Sequence, residues 1–531
     1  MNEQSSDNRA GLRKTVYAIL VAVGIGAVIG RILAVDAVEE TRLQEYRARL
    51  IPRQLAEKRA RLVEQGAAEA AIVRELQRTE ASLRRDVGIP RPFLSANDRS
   101  RWCTLRALVE PEMRVAAEIG TDKDGRPRYA WVWYAIDKVL AQPGWETIDM
   151  VQHALPSHGA GGRAFLYSSK PPLLPTLMAL PYWGIHKATG ATLGTHPYEI
   201  GRALLILYNV IPLLVYFLLL ARLIERFGSS DWGRIFTMAA AVFGTFLTTF
   251  AVVLNNHLPG AISALVALYA CIRIWFDGER RLRYFVIAGL FGAFVVACEL
   301  PGLAFACAIG AALLWKAPRQ TLAGFAPAAL VVAAGFFATN WAAHQTLEPA
   351  YMNQAWYDYE YKRHPDDRQA RPSYWRNRVG IDQGEPSELT YAVHALVGHH
   401  GIFSLSPIWI LSVAGLGLWL VRPADPRLRH LALLIAAVSI VCLVFYLFMQ
   451  PQENRNYGGM TAGLRWAFWF APMWLVAMLP AADQCAERTW IRRIALVLLA
   501  VSALSAAYPT WNPWTHPWLY NFMHDLGWIG A

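Results

Sequence analysis

The sequence predicts an all-α polytopic membrane protein, with about 11 transmembrane helices and a large outer loop after the first span. Three observations carry this. Of the 531 residues 55% are hydrophobic and only 17% charged, against roughly 25% in soluble domains. Eleven apolar runs, most of 16 to 22 residues, punctuate the chain, near the roughly 20 residues that a helix needs to cross a bilayer. Lys and Arg gather in the short loops between the runs, which is the bias of cytoplasmic loops. The formal charge of +11, from 51 basic and 40 acidic residues, therefore reads as topology rather than as a nucleic-acid surface. A disordered or fibrous chain is excluded, and a solvated enzyme of this length does not fit the composition.

The elements follow in order. Residues 1–35 hold a polar tail ending in Arg13-Lys14 and the run 16–33, with no small-residue cleavage site after it. This reads as an uncleaved anchor with a cytoplasmic N-terminus. Residues 36–88 contain 11 Lys/Arg and 10 Asp/Glu with few aromatics. They read as a solvated helical hairpin interrupted at Pro52 and Gly66, or as a docking site for a partner protein. Residues 89–202 turn rich in Trp, Tyr, Pro and Gly and predict short interfacial helices. Pro171, Pro172, Pro175 and Pro181 stop the apolar stretch 171–183 from spanning on its own.

Further spans are expected at 203–222, 235–254, 258–276, 283–298, 301–315 and 321–341, making a bundle over 203–341. A second outer loop covers 342–402. Spans at 403–421, 428–449, 464–480 and 492–508 complete a bundle over 403–531 with an outer C-terminal tail. With the basic loops inside, an inner (plasma) membrane of bacterial type is the expected location.

The informative residues lie in the first outer loop. Asn97-Asp98-Arg99-Ser100-Arg101-Trp102 opens a helical stretch to Glu110; Trp145 follows, then Tyr167-Ser168-Ser169-Lys170-Pro171-Pro172-Leu173. This order, an acid, Arg-aromatic, a helix, a Trp and Lys-Pro-Pro-Leu, resembles the membrane-embedded C-type glycosyltransferases. That superfamily includes the protein O-mannosyltransferases and the lipid A aminoarabinose transferase. The resemblance covers about residues 95–260 by motif and the rest by span pattern. It implies that Asp98 acts as, or orients, the general base on an acceptor hydroxyl, that Arg101 organises the loop, and that Lys170 meets the phosphate of a polyprenyl-phosphate-linked sugar. Trp145 and Tyr167 flank that site.

The chain departs from the family pattern twice. Arg99 follows Asp98 where a second acid is usual, and the turn Asn255-Asn256-His257-Leu258-Pro259-Gly260 carries no carboxylate. A divalent metal, otherwise an expected cofactor, is hard to place without that acid. No other cofactor is implied.

Elementary chemistry allows these roles and also plainer ones. A carboxylate can take the proton of an attacking hydroxyl, and a fixed cation stabilises a leaving phosphate. Asp98 could equally cap the following helix, and Lys170 could snorkel to a headgroup. Asn256 and His257 could bind substrate or form an ordinary turn, and His257 could serve as a base. Glu299, in Cys298-Glu299-Leu300-Pro301, is a carboxylate at membrane depth, where acids are costly and are functional or paired.

The cluster from Glu348 to Tyr361 mixes rings and carboxylates, as a sugar site or an interfacial belt would. His399 and His400 could bind phosphate; with no third ligand nearby, a metal is weakly supported. Arg455 and Arg465 are candidate clamps for a lipid phosphate. Asp122-Lys123-Asp124 reads as a β-turn because Gly125 follows, and Gly159-Ala160-Gly161-Gly162 lacks the context of a phosphate loop.

The resulting expectation is an inverting transferase. It moves a sugar from a polyprenyl-phosphate donor to an extracytoplasmic lipid, protein or glycan acceptor, among membrane lipids and without nucleic acid. The alternatives are a lipid-linked sugar flippase and a non-catalytic relative acting in envelope assembly.

Overall fold

The computed structural model describes residues 2–36, 40–87, 90–158, 162–362 and 370–529; the glycine loop at 159–162 falls almost wholly outside them. Helix occupies each of the eleven apolar runs. Among the described residues seven helices are long and apolar enough to cross a membrane, from Asn8–Leu33 to Thr489–Ala507. Leu282–Cys298, Leu300–Lys316 and Trp409–Val421 are apolar but shorter. The chain is a mostly helical, multi-pass membrane protein.

The helices sort by side-chain size. His257–Asp277 and Ala471–Cys485 are buried along most of their length, because small residues such as Ala261, Ser263, Ala264 and Ala267 let neighbours approach closely. A Cβ on Gly289 would stand 2.2 Å from the Phe325 carbonyl oxygen, and one on Gly415 would stand 1.9 Å from that of Ala477. Outer helices instead present large apolar side chains, with Leu330 and Val331 each 67% exposed, as a lipid-facing surface requires.

Two polar layers cap the bundle. At one end Arg13 pairs with Glu225 and Asp231, Arg226 with Asp277, and Asp483 accepts from the backbone of Ser229 (2.7 Å) and Ser230 (2.8 Å). The other end gathers the turns at 251–257, 298–302, 457–465 and 509–514. There Arg31 donates to the Thr510 carbonyl (2.7 Å) and Asn512 to that of Leu94 (2.9 Å). The first outer loop lies against this second layer.

In that loop Glu40–Glu64 and Glu69–Val87 fold back on each other through a turn at Gly66, whose φ of +70° suits glycine. Lys58 bridges them, donating to Glu75 (2.8 Å) and Thr79 (2.7 Å). Pro52, expected as a break, sits inside the first of these helices.

The next segment corrects the all-α expectation. Between the helices Ala96–Val109 and Leu173–Thr189 run two antiparallel hairpins, Val115–Thr121 with Pro127–Val132 and Met150–Ala154 with Ala164–Ser168. A third, minimal pair joins Glu360–Tyr361 to Arg371–Pro372. The first hairpin has its chemistry in view: Val, Ile, Tyr and Trp on either side of a turn favour strands. At that turn Asp122 accepts from the backbone of Asp124 and Arg126, each at 2.9 Å. Leu173–Thr189 carries Pro172 and Pro175 at its start and Pro181 within, is not one of the span-length helices, and packs on Ala96–Val109 and Ala326–His344.

Candidate active site

The site begins with helix 96–109. Ser95, not Asp98, is its N-cap, its hydroxyl accepting from the Asp98 amide at 3.0 Å. Asp98 is thereby the third helical residue and its carboxylate turns into the protein, 1% exposed. Oδ1 accepts from the Trp102 indole (2.7 Å) and the Leu254 amide (3.0 Å), and Oδ2 from the Leu94 amide (3.5 Å). Burial pushes the Asp98 carboxyl up to about 6, although the hydrogen bonds from Leu254, Trp102 and Leu94 and the nearby Arg101 pull it down. Asp98 thus fastens the loop helix to the 251–256 turn of the bundle.

Arg101 continues this link. It donates to Asn256 Oδ1 (3.2 Å), to the Asn97 carbonyl (2.9 Å) and to Asn97 Oδ1 (2.7 Å), and burial lowers its pKa to about 10. Asn256 reaches on to the Cys298 carbonyl at 3.4 Å. Next to it, His257 Nδ1 bonds Glu299, and His257 Nε2 lies 2.9 Å from the Arg465 guanidinium. A carboxylate accepts and a guanidinium only donates, so His257 is neutral with its proton on Nδ1. Arg465 also donates to the Gly458 carbonyl at 2.8 Å and lies over the Trp514 ring.

Arg465 opens onto a cleft of about 260 Å³, lined among others by Asp149, Lys170, Tyr351, Tyr357, Arg378 and Asn456. Lys170 Nζ donates to Asp149 Oδ1 at 2.6 Å. Burial lowers the Lys170 pKa, with Arg101 and Arg465 adding to the effect and Asp149 opposing it. Arg378 donates to the carbonyls of Glu453 (2.7 Å) and Trp375 (3.4 Å). Among the described residues no carboxylate lies within ion-pair distance of Arg101, Arg378 or Arg465. Arg378 and Arg465 line the cleft and are hydrogen-bonded to neutral acceptors, as is Arg101, which does not line it.

The structure therefore brings Asp98, Arg101, Asn256, His257, Glu299, Arg465 and Lys170 into one connected region. Other expected residues lie elsewhere. Trp145 is buried between Phe93 and the guanidinium of Arg106. Tyr167 sits in the core of the second hairpin, stacked on His153, whose ring also stacks on Trp356. Arg455 is spent on Glu388 (2.6 Å), Pro386 (2.9 Å) and Gln450 (3.1 Å). His399 and His400 pack with His394, Tyr457 and Tyr520 in a separate aromatic cluster, where burial lowers the His399 pKa to about 3 and holds that of His400 well below its ordinary value.

Among the described residues no three His, Cys, Asp or Glu side chains are placed to hold a metal ion. The cleft, lined by Lys170, Arg378 and Arg465 and with Asp149 engaged by Lys170, does not fit a divalent metal.

Sequence reasoning passed over Asp149 and Arg378, and reached Asn97 and Tyr357 only as parts of the segments 97–102 and 348–361. Only Asp149 carried a signal: it is the last acid before Glu199, and the hairpin register pairs Met150 with Ser168, setting Asp149 beside Lys170.

No family model and no curated protein matches this sequence. Among solved structures, the chain is similar to the crystal structure of the Archaeoglobus fulgidus oligosaccharyltransferase in complex with Zn and sulfate, at 13% identity and a TM-score of 0.37, covering 82% of this chain and 55% of that one. The same enzyme tethered with an acceptor peptide matches at 14% identity and a TM-score of 0.34, covering 78% and 54%. In complex with an inhibitory peptide and a dolichol-phosphate it matches at 12% identity and a TM-score of 0.32, covering 78% and 54%. The chain spans about half the length of these structures.

Proposed function

We propose that this protein is a membrane-embedded glycosyltransferase of C-type architecture, with about 11 spans. It transfers a sugar from a polyprenyl-phosphate donor to a hydroxyl-bearing acceptor at the face where the loops at 89–202 and 342–402 meet. The observation that carries this is Arg378 and Arg465, neither within ion-pair distance of a carboxylate among the described residues, lining one cleft with Lys170 on the bundle end. Arg378 and Arg465 are half-buried, and a phosphate suits their forked guanidinium donors. The same charges stabilise the phosphate as it leaves the anomeric carbon.

Asp98 takes the second of its two expected roles. It orients the site through the 254–257 turn instead of meeting the acceptor itself. Glu299 fixes the His257 tautomer, and His257 in turn aims Arg465. The polar layers lie at the two ends of the bundle rather than at mid-depth, which favours transfer over flipping. The charged hairpin 40–87 offers a face to a partner protein.

The test uses purified protein in detergent with radiolabelled polyprenyl-phosphate hexoses. Sugar release to water or transfer to added acceptors, together with polyprenyl phosphate binding, is expected, and Arg465→Met abolishes both. Wild-type protein that neither binds polyprenyl phosphate nor releases sugar refutes the proposal.

A further inference from the structure

Proton removal from the acceptor needs a base that reaches the cleft, and Asp98, Glu299 and Asp149 answer that need differently. Asp98 is closed off by Trp102, Leu254 and Leu94, and does not line the cleft. Glu299 is turned to His257 and does not line it either. The cleft's two carboxylates are Glu453, which is exposed, and Asp149, which is 7% exposed. Asp149 is rigidly presented. Its carbonyl accepts from the Ser100 hydroxyl (2.5 Å) and the Ser169 amide (3.1 Å), tying it to helix 96–109 and to the open end of the second hairpin. Among the described residues the one side-chain hydrogen bond to its carboxylate comes from Lys170.

That arrangement couples the two halves of the reaction. At rest the Lys170 ammonium neutralises Asp149. A donor phosphate entering beside Arg465 and Arg378 competes for the same ammonium, which has three donors and can serve both anions.

Resting on the transferase reading above, we propose that Asp149 is the proton acceptor of sugar transfer and that Lys170 is shared between Asp149 at rest and the donor phosphate during turnover. The acceptor O–H gives its proton to the Asp149 carboxylate as the oxygen bonds to the anomeric carbon. The bond from that carbon to the phosphate oxygen breaks, its electron pair staying on the phosphate. Lys170 remains protonated throughout, and Asp149 returns its proton to water.

The experiment compares the full-length wild type with Asp149→Asn and Asp149→Glu in detergent. It measures polyprenyl phosphate binding, sugar release or transfer from radiolabelled polyprenyl-phosphate hexoses, and melting temperature. In Asp149→Asn turnover falls at least about 100-fold, the loss of one general base, while polyprenyl phosphate binds as tightly or tighter because Lys170 has lost its competitor. Asp149→Glu, which keeps a carboxylate at the position, retains more of the turnover than Asp149→Asn.

Turnover by Asp149→Asn within about threefold of an active wild type, far short of a general-base loss, overturns the assignment. So does loss of lipid binding in step with turnover, which marks Asp149 as a structural support of Lys170. A wild type that neither binds polyprenyl phosphate nor releases sugar overturns the transferase reading and this assignment with it.

Discussion

Replacing Asp98 by Asn tests the central joint between loop and bundle. Both strong bonds to Asp98, from the Trp102 indole and the Leu254 amide, arrive at Oδ1; Oδ2 receives only the long contact from Leu94. An Asn whose oxygen takes the Oδ1 position keeps both strong bonds, loses one weak one, and removes a buried charge. The folded-state pKa is about 6 against an ordinary value of 3.8, a rise of about two units at about 1.4 kcal/mol each.

The native state therefore holds this proton more tightly than the unfolded chain does. The stability this contributes is full below about pH 4 and is lost as pH rises through about 6, by about 3 kcal/mol in all. Asp98→Asn has no proton to lose, so this part of the pH dependence vanishes, and the variant melts above the wild type at pH 7.5. Melting followed by tryptophan fluorescence in detergent between pH 4 and 8 measures the difference curve. Parallel curves for the two proteins would refute a buried, neutral-leaning carboxyl at this joint.

Three further outcomes are expected. Arg106 and Glu110 form a buried pair, 1% and 0% exposed, in which Tyr182 also donates to Glu110 and Arg106 also donates to Gln142. Glu110→Ala strands the guanidinium and costs about 3–5 kcal/mol, read as loss of the monodisperse peak on size-exclusion; an unchanged peak and melting temperature contradict this. Arg465→Lys keeps the charge but loses the fork that spans Gly458 and His257, so polyprenyl phosphate binding weakens about 10- to 100-fold, the range of one charge-assisted hydrogen bond. Equal affinity would show that charge alone suffices. Gly289→Ala drives a methyl against the Phe325 backbone and costs about 1–3 kcal/mol, visible as a lower melting temperature.

Much of the helical architecture could be read from composition and run length, because an apolar run near bilayer length has few other uses. Registers inside the outer loops could not. Val115–Thr121 and Pro127–Val132 are short, partly exposed strands in a segment whose Trp and Tyr content suits interfacial helices equally well. The weight given to membrane aromatics hid the alternation. The Lys-Pro-Pro motif led to Lys170, and its prolines lie in or next to the first turn of a helix, where a missing N–H costs nothing.

The candidate site shows a sharper limit. Motif reasoning pointed at Asp98 for its place beside Arg101, yet three residues' difference in helix phase decides where a carboxylate points. With Ser95 as the cap, Asp98 turns inward to Trp102 and Leu254, and the acid facing the cleft is Asp149, fifty-one positions on. Asp149 and Lys170 meet because the second hairpin pairs Met150 with Ser168 and so brings its two ends together. Neither strand announces that register by spacing or motif. A pairing made by strand register is invisible to a reading that scans outward from motifs, and the same blind spot covers His257, Glu299 and Arg465. These three stand on separate turns, and only the packing of the helices that carry them makes carboxylate, imidazole and guanidinium into one chain of contacts ending at the cleft.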